Sequence, residues 1–297
     1  MKKILLGTLA SSLFIFVGCQ FQPQLPSVKS TPTPTLPSCT PYPASFLPAD
    51  KQKAGQENIN IEMVSIPAGE FIMGSNTGKD NEKPEHKVDL DSYSISKYEV
   101  TQSQYKQFID ATGYIVYLYG EWDPVNKANY PVTYINWEDA KAFCEWSGTR
   151  LPTEAEWEKA ARGTDGRIYP WGNNEPDCSL LNYGGAYYIG TPPLFKFDNN
   201  ICNATGSTPV GTYPLGVSAY GVMDMAGNVS EWCNDLYDDY SYLINASNKN
   251  PQGAAFGCSH SVRGGSWGSG TDLKYYRCSN RSNGMSSSGI VGFRVAK

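Results

Sequence analysis

After residue 164 no apolar period, helical or alternating, persists for more than a few residues; Gly, Asn, Pro, Asp and aromatic residues dominate instead. A stretch of this kind does not build stacked helices or one large regular sheet. It predicts long loops broken by short strands near 219–225, 229–233, 261–267, 275–281 and 291–296. The 20 tyrosines, 7 tryptophans and 29 glycines suit that reading, with rings filling the space between irregular segments. Loops of this length need holding, and calcium and disulfides are the usual means in an exported protein.

The first half of the globular part is more regular. MVSIPAGEFIMGS (63–75) and HKVDLDSYSISKYEVT (86–101) carry strand and turn chemistry. TQSQYKQFIDATG (101–113) predicts a helix from an N-cap threonine to a glycine, with Tyr105, Phe108 and Ile109 on one face. NWEDAKAFCEWSG (136–148) predicts a second, with Gly148 as its stop. RLPTEAEWEKAARG (150–163) predicts a third, opened by the capping box of Thr153 and Glu156. Capping and the helix dipole account for Glu154, Glu156 and Glu158 without catalysis. Trp157, Trp171, Trp232 and Trp267 read as core, and Arg150, Arg162, Arg277, Arg281 and Arg294 as arginine–carboxylate pairs joining loop to loop.

Residues 1–19, MKKILLGTLASSLFIFVGC, have a basic start, an apolar run and small Gly18 before Cys19. That order is a cleavable export signal. It resembles a bacterial lipoprotein signal, which implies lipid on Cys19, a membrane anchor and an exported location facing the periplasm or cell exterior. Residues 20–56 are rich in Pro, Ser and Thr and read as an extended tether to a domain over 57–297. The net charge of −5, without a basic patch, argues against a nucleic-acid partner.

The chain has eight cysteines but no C-x-x-C pair, and two histidines, His86 and His260. Tetrahedral zinc and multi-histidine iron therefore have little support. Cys178 and Cys202 are the best local disulfide; the pairing of Cys144, Cys233, Cys258 and Cys278 stays open.

IPAGEFIMGS, KYEVTQSQYKQF, RLPTEAEWEKAARG, PWGN (170–173), YGVMDMAGNVSEW (220–232), RGGSW (263–267) and GFR (292–294) follow one another in the order of one family. Over about residues 60–297 the chain resembles the formylglycine-generating enzyme, or sulfatase-modifying factor, domain. The resemblance implies an α+β fold, a loop-rich variant of the C-type lectin fold, with bound calcium. In the family, oxidases convert a peptide cysteine to formylglycine with oxygen and copper(I), held by two thiolates. Here those places fall near Ser269 and Lys274, neither a thiolate, so copper is not expected. Cys278 matches a different, disulfide-bonded cysteine of the family, and the places of the partners of Cys144 and Cys278 are Val295 and Ala161.

The resemblance also implies a calcium site at Asp224, Gly227, Val229 and Glu231, and another at Asn182 and Tyr183 near Cys202 and Ala204. In that second site Cys202 replaces the expected carboxylate. Arg263, Ser266 and Ser230 stand at the family's peptide groove, with Ser230 replacing a tryptophan. The function expected is a surface-tethered binding or scaffolding module for a peptide, glycan or protein, with structural calcium. The alternative is an oxidase of the family's kind, or a maturation factor for an exported sulfatase.

Overall fold

The protein was described from a computed structural model, which covers residues 59–116, 118, 122–185, 202, 204–239, 248–284 and 287–297. The export signal, Cys19 and the whole of the tether lie outside these residues. Among the described residues no helix is long and apolar enough to cross a membrane.

The first regular elements are β1 (Met63–Ile66), β2 (Gly69–Met73), β3 (His86–Leu90) and β4 (Tyr93–Ser96). β2 pairs with β3 and β1 with β4, both antiparallel. The alternating segment 86–101 is thus two strands, parted at Asp91 and Ser92. Helix α1 (Gln102–Thr112) follows the Thr101 capping box and stops at Gly113, whose φ of 69° is left-handed. Helix α2 (Trp137–Ser147) is capped by Asn136 and stopped by Gly148, and α3 (Glu154–Arg162) starts at the Thr153–Glu156 box.

The aperiodic half contributes one four-stranded sheet. Its strands are β5 (Ser230–Leu236), β6 (His260–Arg263), β7 (Arg281–Gly284) and β8 (Val291–Phe293), in the order β7-β6-β5-β8. β8 runs parallel to β5, and the other neighbours are antiparallel. Two predicted strands are absent. Segment 219–225 is a series of turns, because Gly221 and Asp224 take positive φ values of 89° and 58°. Most of 275–281 is turn: Asp272 caps a short 3-10 segment over Leu273–Tyr276, and extended pairing begins only at Arg281.

One apolar cluster joins Tyr105 and Phe108 of α1 to Phe143 of α2, Trp232 of β5 and Phe293 of β8. A second packs Trp157, Ala160 and Ala161 of α3 on Phe71 and Val88, with Cys233 and Cys278 beside them. The described residues also hold a buried ionic network. Arg281 donates to both Glu154 oxygens at 2.7 and 2.8 Å. Arg263 donates to Glu158, whose other oxygen accepts from Gly74 N at 2.8 Å. Arg294 grips both Glu231 oxygens at 2.6 and 2.7 Å. The arginine reading holds for Arg281 and Arg294; Arg150 and Arg162 also pair with carboxylates, but Arg150 is half-exposed beside Glu156 and Arg162 pairs with Glu158 within α3. Arg277 departs from it, donating to the hydroxyls of Ser75 and Thr77.

Asp235 sits under the start of α3, where its Oδ2 accepts from Glu154 N at 2.9 Å. Burial, then the neighbouring Glu154, pushes its carboxyl up to about 8. Because folding raises this pKa, the stabilising proton is fully bound below the ordinary aspartate range and is lost as pH rises towards 8. Thermal melts from pH 5 to pH 8 should therefore show falling stability, and Asp235→Asn should flatten that fall and raise Tm by a few degrees at pH 8. An unchanged profile in the variant would remove Asp235 as its source.

Candidate functional site

A cleft of about 440 Å³ opens on one face of the four-stranded sheet. That volume lies in the range of pockets for small ligands or a few peptide residues. Its floor holds two cross-strand pairs, Ser282 opposite Val262 and Ser230 opposite Val291. Its walls come from Gly265, Ser269, Tyr275, Asn280, Ser288 and Ile290. The depth at β7 depends on Gly284: a Cβ there would stand 2.0 Å from Trp232 and 2.4 Å from Val262. Gly265, at φ 66°, allows the opposite wall to close, since a Cβ would lie 2.6 Å from Tyr275 O.

The cleft brings together some of the expected groove residues and not others. Ser230 and Ser269 line it. Ser266 is fully buried behind Ser269, which accepts from Ser266 N at 3.0 Å and shares a 3.1 Å contact between the two hydroxyls. Neither partner is a base, so the geometry does not activate Ser269 as a nucleophile. Arg263 is not a groove wall. It is fully buried, donates to Ser279 O, Asn280 O and Cys278 O, and lies 5.3 Å over the Trp157 ring. A guanidinium so placed braces the turn behind the cleft. Lys274 is exposed and paired with Asp272 at 2.5 Å.

No cysteine lines the cleft. Cys144, Cys233 and Cys278 are free, buried thiols. Burial pushes Cys144 and Cys278 up to about 12 and raises Cys233 as well. Cys144 packs in one cluster with Val295, and Cys278 in another with Ala161. These are the neighbours that the resemblance implied. Cys178 and Cys202 form the expected disulfide, and Cys258 is disulfide-bonded too.

The two expected calcium segments meet. Asn182 Nδ2 reaches Asn228 Oδ1 at 3.4 Å, and Asn228 N donates to Asn182 O at 3.0 Å. Asn182 Nδ2 also donates to Gly206 O, and Tyr183 is buried with its hydroxyl on Pro176 O. Gly227 lets the loops approach: a Cβ there would be 2.4 Å from Asn182 O. Asp224 accepts from Gly211 N at 2.6 Å, and burial pushes its carboxyl up to about 6. Glu231 is fully enclosed, both oxygens held by Arg294 and one also by Trp157 Nε1 at 2.7 Å.

Sequence reading missed Glu99, which burial and then Asp224 and Glu231 raise well above the carboxylate range. It accepts from Asn228 Nδ2 at 3.2 Å on each oxygen. Its signal was an acidic residue between Tyr98 and Val100, just before the first helix. Among the described residues no three acidic, histidine or cysteine side chains form a ready metal cage. The fit to a hard cation rests on Glu99 and Asp224, whose charges Arg294, hydrogen-bonded to Glu231, offsets only in part, together with main-chain carbonyls of the 224–231 turn.

These features belong to a known class. The sulfatase-modifying factor enzyme 1-like domain model matches residues 49–297, and the chain belongs to that family. It is 30% identical to the formylglycine-generating enzyme of Mus musculus over 289 residues, covering 79% of this chain and 74% of the mouse protein. It is 31% identical to the formylglycine-generating enzyme of Streptomyces coelicolor over 309 residues, covering 86% of this chain and 95% of that one. Among solved structures, PvdO from Pseudomonas aeruginosa superposes with a TM-score of 0.60 at 26% identity, covering 79% of this chain and 93% of PvdO. The fold is the family's α+β, loop-rich variant of the C-type lectin fold.

Alkylation of the native protein followed by peptide mapping should leave Cys144, Cys233 and Cys278 unmodified, and denaturation should expose all three. Labelling of Cys278 in the native state would place a thiol within reach of the cleft and contradict this geometry.

Proposed function

We propose that the domain is a binding module and not an oxidase, its cleft receiving an extended segment of a peptide, glycan or partner protein. The observation that carries this reading is the lining of the cleft. Hydroxyls, amides, glycine and aliphatic groups surround it, and Ser269 lies near the place where the family resemblance puts a copper thiolate. A serine hydroxyl does not ionise near neutral pH and is a poor ligand for copper(I). The buried thiols are held protonated, away from that lining.

In this reading a calcium ion is structural. Glu99 and Asp224, with carbonyls of the 224–231 turn, hold it and tie the turn to the segment before α1. The domain is exported and anchored through lipid on Cys19, the tether carrying it away from the membrane surface.

The test incubates the whole chain with copper(I), oxygen and a peptide containing Cys-x-Pro-x-Arg, and reads the peptide by mass spectrometry. No aldehyde should form. Aldehyde produced in proportion to the protein would overturn the binding reading and restore the oxidase. Chelation should lower Tm, added calcium should restore it, and Asp224→Asn should abolish the difference; a Tm indifferent to calcium would remove the ion from the proposal.

A further inference from the structure

A second pocket, of about 350 Å³, opens where the turn between β3 and β4 meets the start of α3 and the second half of β5. It shares no lining residue with the cleft. Its Asn234 stands four residues along β5 from Ser230 of the cleft, roughly 13 Å away. Asp91, Ser92, Arg150, Asn234, Asn250 and Gln252 give this pocket a polar lining.

The formal charges of the pocket are compensated within the protein. Glu156, also in the lining, takes one proton from each terminal nitrogen of Arg150, at 2.6 and 2.7 Å. Asp91 accepts from Lys249 at 2.5 Å and from Asn250 Nδ2 at 2.8 Å, one bond on each oxygen. The N–H groups at the start of α3 are occupied as well: Thr153 N by Glu156, Glu154 N by Asp235 and Glu156 N by Thr153. An incoming ion therefore meets no uncompensated counter-charge and no open helix terminus. What the pocket leaves open is hydrogen-bonding capacity of both senses. Arg150 is half-exposed, and its Nε–H and the second proton of Nη2 make no hydrogen bond among the described residues. The same holds for the side-chain amide of Asn234, the hydroxyl of Ser92 and Oε1 of Gln252, whose Nε2 donates to Asn250 O at 3.1 Å. The exposed oxygens of Asp91, each with one donor, have room to accept again.

We infer that this pocket is a sugar site, taking the ring of a neutral monosaccharide or of a terminal glycan unit. Each hydroxyl both donates and accepts, and a sugar ring sets several of them side by side, which matches a lining where donors and acceptors are interleaved and charge is already balanced. Two neighbouring hydroxyl oxygens accept from the open N–H groups of Arg150, and their protons go to Asp91 or to Gln252 Oε1. The Asn234 amide serves as either partner. Leu90, Tyr93 and Leu151 supply the small apolar part of the lining, suited to the C–H face of the ring. The volume lies at the lower end of the range for small-ligand sites. The inference concerns a different part of the surface from the cleft and does not rest on the reading of the cleft.

The test immobilises the intact chain and measures, by surface plasmon resonance, the binding of neutral hexoses and N-acetylhexosamines, their deoxy analogues, sugar acids and amino acids, at low and at physiological salt. Neutral sugars should bind saturably, lose affinity when a ring hydroxyl is removed, and respond little to salt, as ligands without net charge do. Asn234→Ala and Gln252→Ala should each weaken binding about fivefold, the effect of one hydrogen bond of ordinary net strength. Both side chains are exposed, so Tm should stay where it is, and an unchanged Tm assigns the loss to the pocket. Neutral sugars bound with full affinity by both variants would place the site elsewhere and overturn the inference. Sugar acids or amino acids bound in preference to neutral sugars, with affinity falling as salt rises, would overturn it too, as would a native chain that binds no sugar. The copper and peptide assay of the cleft is untouched by any of these results, so the two readings fail separately.

Discussion

Three glutamates, Glu154, Glu158 and Glu231, meet Arg281, Arg263 and Arg294 in the interior, and every one of these side chains is at most 2% exposed. Removing such charges from water is costly, and the cost is offset only when each oxygen and each N–H finds a partner. Here the guanidinium groups meet most of that demand by reaching main-chain carbonyls: Arg294 takes Ser96 O and Met223 O, Arg281 takes Asn81 O and Asp238 O, and Arg263 takes three carbonyls of 278–280, its Nε left at 3.7 Å from Glu154. Loops with few ladder hydrogen bonds of their own are thereby fixed to a short helix and a small sheet. The cleft inherits its shape from this arrangement, because Arg263 holds the turn that presents Asn280 and Ser282.

The helices were legible because their caps are local. Thr101, Asn136 and Thr153 each take a backbone N–H three residues on, and Gly113, Gly148 and Gly163 follow the last turns. The Cys178–Cys202 bond was legible for a similar reason, being a local pair that closes one loop. The absence of strand at 219–225 was not. The apolar residues Val222, Met223 and Met225 look extended in sequence, but the left-handed residues Gly221 and Asp224 turn the chain so that all three are buried from a coil. Tyr275 and Tyr276 misled in the same way, one facing the cleft and the other anchoring a turn by its hydroxyl on Gly270 O.

The site was half legible. Ser230 and Ser269 were placed by motif, and motif alone put Arg263 beside them. Sequence gives the chain position of an arginine but not whether its carboxylate partner, here 105 residues away, draws it inward. Glu99 was passed over for the complementary reason. It is ordinary in its own segment and acquires meaning only from a residue far along the chain, Asn228.

The pairing of β4 with residues beyond β8 has a kinetic consequence. Ser94 exchanges backbone hydrogen bonds with Lys297, Ser96 N donates to Val295 O, and Arg150 is bridged to Ala296. The hairpins of the first hundred residues therefore wait for partners synthesised about two hundred residues later. A topology of such distant pairings closes large loops before it gains contacts, which slows folding. While the ribosome is still adding residues 291–297, the buried glutamate Glu231 lacks Arg294 and the sheet lacks its parallel strand. A nascent chain in that condition remains unable to lock, and the domain closes only once these residues have left the ribosome.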